Sequence, residues 1–148
     1  MLRTLLLFSW FSSFLYAHPL EGAGIQLFSP DRTKTLLVQG QSGRWGWTKG
    51  HKEPVDDTWL HTAIREVYEE SGFHLGIHYR LCTSRPQQWG KRLYWQGITY
   101  LDEPEPRHNS VEHRDIGWVS IEELNKFNVG RDVGPWLASY RNITCDFD

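Results

Sequence analysis

Three glutamates in the stretch IREVYEESGF, namely Glu66, Glu69 and Glu70, stand at the spacing that stacks side chains on one face of a helix. Like charges so placed destabilise an isolated helix by roughly 0.2 to 0.5 kcal/mol per pair. An acidic, solvated surface absorbs that cost and is one reading of the cluster. The other reading is chemical. Three carboxylates on one face make a hard-oxygen site suited to Mg²⁺ or Mn²⁺, and such a cation relieves the repulsion while holding phosphate oxygens.

The element that must carry them runs from about Asp57 to Ser71. Leu60, Ala63, Ile64 and Val67 recur at helical spacing, so one face packs on the core and the glutamates occupy a second. Gly72 then caps the C-terminus. Upstream, GIQLF and TLLVQG flank the turn-forming SPDRTK and predict an antiparallel hairpin. Downstream, RLYWQGITYL and DIGWVSI read as strands, and DEPEPRHNS between them is a loop because proline cannot sit in a ladder. Ser120 with Glu123 forms a capping box before a short helix, IEELNKF, and Gly134 and Pro135 open a last helix, PWLASY. Strands and helices alternate irregularly, which points to an α+β fold.

The chain has 148 residues, 39% of them hydrophobic, with eight tryptophans and a formal charge of −2, so one globular domain is expected and a disordered or coiled-coil chain is excluded. No solenoid repeat is present, and no Cys/His cluster has zinc-site spacing. The first residues, MLRTLLLFSWFSSFLYA, combine a basic Arg3, an apolar run and a terminal small residue, and read as a signal peptide over residues 1–17. An uncleaved membrane anchor is the alternative for that stretch. Residues 18–148 then form the domain, and the expected destination is the secretory pathway. Cys82 and Cys145 form either a disulfide tying the body to the tail or two ordinary thiols, and Asn142 to Thr144 is a glycosylation acceptor pattern.

REVYEESGF, Arg65 to Phe73, matches the second half of the Nudix hydrolase box, G-x5-E-x7-R-E-U-x-E-E-x-G-U, at every specified position. WGWTKGHKEP resembles the loop that leads into that box, and EHRDIGWVSIEEL is similar to the strand and helix that close the family's fold. The resemblance covers most of the chain after Gly22. The first half of the box departs from the pattern: the glutamate position holds Asp57 and the glycine position His51, with Gly50 one residue early. A one-residue insertion accounts for this and leaves Asp56 or Asp57 as a shorter substitute carboxylate.

The resemblance implies a Nudix fold, a mixed β-sheet sandwiched between α-helices. It implies that Glu66, Glu69 and Glu70 bind Mg²⁺ or Mn²⁺, with the Gly50 carbonyl as a further ligand, and that Arg65 orients the glutamates through its planar fork. The general base is either Glu66 or a glutamate outside the box, for which Glu112 is the candidate. The implied reaction is metal-assisted hydrolysis of a phosphoanhydride in a small-molecule nucleotide, a carboxylate taking the proton of the attacking water. Because the chain is acidic overall, Lys49, Lys52, Lys91 and Arg92 are candidates to hold a polyanion. Trp45, Trp47, Tyr94 and Trp95 either stack a base or fill the core.

Substrate choice divides between subfamilies. VQGQSGRWGWTKG resembles mRNA decapping enzymes, KGHKEP resembles dinucleoside tetraphosphate hydrolases, and REVYEE also resembles diphosphoinositol polyphosphate phosphohydrolases. A leader and the lack of a strongly basic extension favour a nucleoside polyphosphate or a capped nucleotide over a messenger RNA body. A Nudix-fold nucleotide-binding module without turnover is the reading from another class, and the three intact glutamates argue against it.

Overall fold

The computed structural model describes residues 19–109, 111–139 and 142–145, so the stretch read as a leader lies outside the described residues. Within them, eight strands join one mixed sheet: β1 (Gly22–Phe28), β2 (Lys34–Gly40), β3 (Trp45–Gly46), β4 (Thr48–Gly50), β5 (Tyr79–Leu81), β6 (Gln87–Trp89), β7 (Arg92–Thr99) and β8 (His113–Ser120). β1 and β7 run parallel from the Gly22–Arg92 pair to the Phe28–Ile98 pair, whereas β8 pairs antiparallel with β2. The expected hairpin of β1 and β2 forms, but the two strands share only the Phe28–Thr35 pair before they diverge. β4 takes the vacated edge of β1 opposite Ala23 to Ile25.

Alternation along the strands sends side chains to opposite faces. Ala23, Ile25, Leu27, Leu36, Leu93 and Trp95 meet the helix α1 (Trp59–Ser71) through its Ala63 and Val67. Phe28, Leu37, Tyr94 and Val119 face the other way and pack with Trp47, Leu124, Val133 and Trp136. That second layer is closed by a 3₁₀ turn (Ile121–Lys126) and the short helix α2 (Val133–Ala138). A mixed sheet between helical layers is the α+β arrangement expected. Trp47 is fully buried, edge-on to Tyr94 and Trp136, and its Nε1–H donates to Thr35 Oγ1 at 3.2 Å. It is therefore core, which corrects its assignment to substrate binding; Tyr94 and Trp95 are buried as well.

α1 begins where Thr58 accepts a hydrogen bond from the His61 N–H at 3.1 Å, and ends at Gly72, whose φ of +79° lets its N–H reach Tyr68 O at 2.8 Å. Two boundaries differ from expectation. The Ser120 side chain makes no cap bond and its segment winds as a 3₁₀ turn, and Pro135 is the third rather than the first residue of α2. Cys82 and Cys145 are joined as a disulfide, and Gln96 holds the tail beside it, donating to Asn142 O at 2.8 Å and accepting from the Thr144 N–H at 2.9 Å.

Candidate active site

α1 crosses β1 and β4, so its glutamate face opens onto the end of β4. A Cβ on Gly50 would overlap the Glu66 carboxylate, so glycine here leaves the space in which that carboxylate lies against β4. The Lys49 N–H donates to Glu70 Oε1 at 3.1 Å and fixes the third carboxylate. Glu66, Glu69 and Glu70 then line a cavity with Glu53, His51 and Gly50. Glu112 enters it from the turn before β8, together with His113.

Arg65 buckles this arrangement. Its Nη1 donates to Glu66 Oε1 and Glu69 Oε2, each at 3.0 Å. Its Nη2 donates to His51 O at 2.9 Å and Asp56 Oδ2 at 2.8 Å, and its Nε to Asp56 Oδ1 at 3.0 Å. Asp56 also accepts from the Glu53 N–H at 2.9 Å and from Thr62 Oγ1 at 3.0 Å. The Arg65 hydrogen bonds, and then these others, hold the Asp56 carboxyl well below the usual carboxylate range. Asp57 is exposed, its Oδ2 3.8 Å from His61 Nδ1. Of the two aspartates left open by the insertion, Asp56 is the one built into the site, as the anchor of Arg65.

The carboxylates deeper in the cavity behave in the opposite sense. Burial pushes Glu70 up to about 8 against the pull of the Lys49 charge, and burial also raises Glu66 despite Arg65. The same burial lowers the Lys49 ammonium and the His113 imidazole. Glu70 Oε2 is buried without a hydrogen-bond partner, 3.5 Å from His113 Nε2, and His113 Nδ1 is likewise unpartnered. Crowded carboxylates, desolvated and with an orphan oxygen, are the donor set that a hard divalent cation satisfies. Among the described residues no three acidic, His or Cys side chains already converge as a ligand set, and Arg65 occupies one oxygen each of Glu66 and Glu69.

A second cavity of about 290 Å³ adjoins the first and shares Lys49, Glu70 and His113 with it. Trp45, Val38 and Val133 give it apolar walls, and Arg44, Arg92 and Arg131 line it with charge. Trp45 is half-buried, edge-on to Phe127, so it stands where its twin Trp47 does not. Lys52 is exposed between His51 and Glu53, which line the carboxylate cavity, and its ammonium lies 5.4 Å from the Trp59 ring. Lys91 pairs with Glu21 at 3.0 Å on the surface. Arg44, Arg131 and His113 escaped the sequence reading. The histidine of EHRD was a visible signal, but nothing local marks the two arginines.

The NUDIX domain profile matches residues 18–140. The chain belongs to this family, whose hydrolases use divalent metal, and it is a hydrolase of phosphorus-containing acid anhydrides acting on small-molecule nucleotides. It is 25% identical over 138 residues to a bis(5′-nucleosyl)-tetraphosphatase [asymmetrical] of Caenorhabditis elegans, covering 86% of this chain and 98% of the relative. It is 29% identical to the Sus scrofa protein of the same name, over 74% of this chain and 80% of that one. In three dimensions it resembles a C. elegans Ap4A hydrolase binary complex with a TM-score of 0.67 at 20% identity, covering 82% and 96% of the two chains. The NUDIX domain of Shewanella oneidensis NrtR, complexed with ADP ribose, gives a TM-score of 0.61 at 16% identity over 85% and 88%. These findings correct the secretory destination. The relatives are tetraphosphatases matched along nearly all or most of their own length, and no helix among the described residues is long and apolar enough to cross a membrane.

Proposed function

We propose that the chain cleaves dinucleoside tetraphosphates asymmetrically, into a nucleoside triphosphate and a nucleoside monophosphate. The observation that carries this reading is the pair of joined cavities, one lined by carboxylates and the other by cations and Trp45, with Lys49, Glu70 and His113 at the seam. A polyphosphate bridge spans such a seam. The names of the two curated relatives support the same substrate class.

Glu66, Glu69 and Glu70, with the Gly50 carbonyl, would hold the divalent cation, which supplies charge neutralisation to the phosphate oxygens. Arg65 fixes Glu66 and Glu69 in register, and Asp56 fixes Arg65. Glu112 is the general base. Its side chain forms no hydrogen bond or ion pair among the described residues, whereas Glu66 is tied to Arg65 and pressed against Gly50. Glu112 takes a proton from water, the water oxygen bonds to phosphorus, and the bridging P–O bond breaks with its electron pair leaving on the departing phosphate.

The test is Mg²⁺-dependent hydrolysis of diadenosine tetraphosphate by the full chain, beside nucleotide sugars, capped RNA and diphosphoinositol phosphates. Glu69→Gln and Glu70→Gln should each lower kcat by at least about a hundredfold. Preference for another substrate in that panel would overturn the assignment, and a variant that keeps full turnover would remove its glutamate from the site.

A further inference from the structure

Arg44 and Arg131 are the two cations lining the second cavity whose side chains have no partner among the described residues. Neither side chain enters an ion pair or hydrogen bond among the described residues. The other cations there have partners: Arg92 pairs with Asp132 at 3.3 Å, and the Lys49 ammonium donates to Trp47 O at 3.4 Å. Asp132 Oδ2 is engaged twice, because the buried Tyr94 hydroxyl also donates to it. The cavity-lining cations with unspent donors among the described residues are therefore Arg44 and Arg131.

The two arginines ride on one ledge although 87 positions separate them in the numbering. The Trp45 N–H donates to Asn128 O at 2.9 Å, and the Gly130 N–H donates to Trp45 O at 2.8 Å. This parallel bridge of Trp45 with Val129 fixes the residue before Trp45 and the residue after Gly130 on one wall. A further bond, from the Gly40 N–H to Arg44 O at 2.9 Å, closes the β2–β3 turn behind them. Two exposed guanidinium forks, carried on backbone that is tied together by these bonds and with their donors unspent among the described residues, suit phosphate oxygens bidentately. Neither arginine lines the cavity of Glu66, Glu69 and Glu112.

The geometry points to Arg44 and Arg131 as specificity-determining residues that bind the phosphates remote from the bond that breaks, and so set how many phosphates the substrate must carry. The inference rests on the polyphosphate reading above. A ligand whose attacked phosphate sits among the glutamates extends its remaining phosphates across the seam toward the arginines. A short bridge leaves one or both forks empty. Because the arginines stand away from the reacting atoms, they hold ground state and transition state alike, and their removal appears in KM rather than kcat.

The experiment compares dinucleoside tri-, tetra- and pentaphosphates as substrates for wild type, Arg44→Ala, Arg131→Ala, the double alanine variant and the double lysine variant. Calorimetry with inorganic tripolyphosphate runs in parallel on the same proteins. The double alanine variant should raise KM for the tetraphosphate by about tenfold or more and for the triphosphate by less than about threefold, with kcat within about twofold. Lysine at both positions should recover part of the loss, since it keeps charge without the fork. Equal changes for every bridge length, or none in a variant whose Tm matches wild type, would overturn the inference. If wild type cleaves no dinucleoside polyphosphate, the proposed function fails. Tripolyphosphate then decides alone: an affinity about tenfold lower in the double alanine variant upholds the subsite, and an unchanged affinity overturns it.

Discussion

Trp45 and Trp47 share a residue type and lie two positions apart, yet their environments are opposite. Trp47 has no exposed surface and closes the second core layer, whereas Trp45 stands half-buried on the cavity wall. Trp47→Ala should therefore lose about 3 to 5 kcal/mol of stability in a urea titration, the cost of a large buried cavity. Trp45→Ala should leave the unfolding midpoint close to wild type and raise KM for the nucleotide substrate by about tenfold, the loss of a stacked base. Reversed outcomes would exchange the two assignments. Asp56 and Asp57 make the same point with charge. Adjacent in sequence, one is sealed under Arg65 and the other points to solvent.

At the scale of elements, what was legible was what is encoded locally. α1 follows from its apolar period and from the cap at Gly72, so its end lies where expected, while its start, capped by Thr58, falls at Trp59 rather than near Asp57. β1, β2, β7 and β8 announce themselves through apolar and aromatic runs. β3 to β6, at two or three residues each, have no period of their own and exist only through their partners. The same limit governs the site. The spacing of Glu66, Glu69 and Glu70 is a property of one helix, but Arg44 and Arg131 come to one cavity through the long-range Trp45–Val129 bridge. Gly50 is where the Glu66 carboxylate of α1 lies against β4, and it yields a sharp expectation. Gly50→Ala should keep the circular dichroism of wild type while kcat falls by about a hundredfold, because the new methyl takes the space of the Glu66 carboxylate and shifts it by something like an ångström. Activity within about threefold of wild type would show that the carboxylate has room to yield.

Across the whole molecule, a formal charge of −2 conceals two adjoining cavities of opposite sign, and the acidic one stores a pH-dependent cost. Burial raises Glu70 to about 8 and lifts Glu66 as well, above the unfolded value of about 4.3 for glutamate. A group whose folded pKa is raised gives stability that is complete below its unfolded pKa and is lost as pH rises through the folded one. In EDTA, the stability of wild type relative to Glu70→Gln should therefore fall between about pH 4.5 and pH 8, since that variant cannot ionise. His113, lowered by burial, is common to both proteins and cancels in the comparison. Mg²⁺ should reverse the trend, because a cation binds the deprotonated carboxylates: the gain in Tm on adding Mg²⁺ should be larger at pH 8 than at pH 5, and nearly absent in Glu70→Gln. Thermal unfolding followed by tryptophan fluorescence at the two pH values measures both effects. A Tm gain that is equal at pH 5 and pH 8, or that survives in Glu70→Gln, would place the cation away from this carboxylate and leave its burial without a purpose in the site.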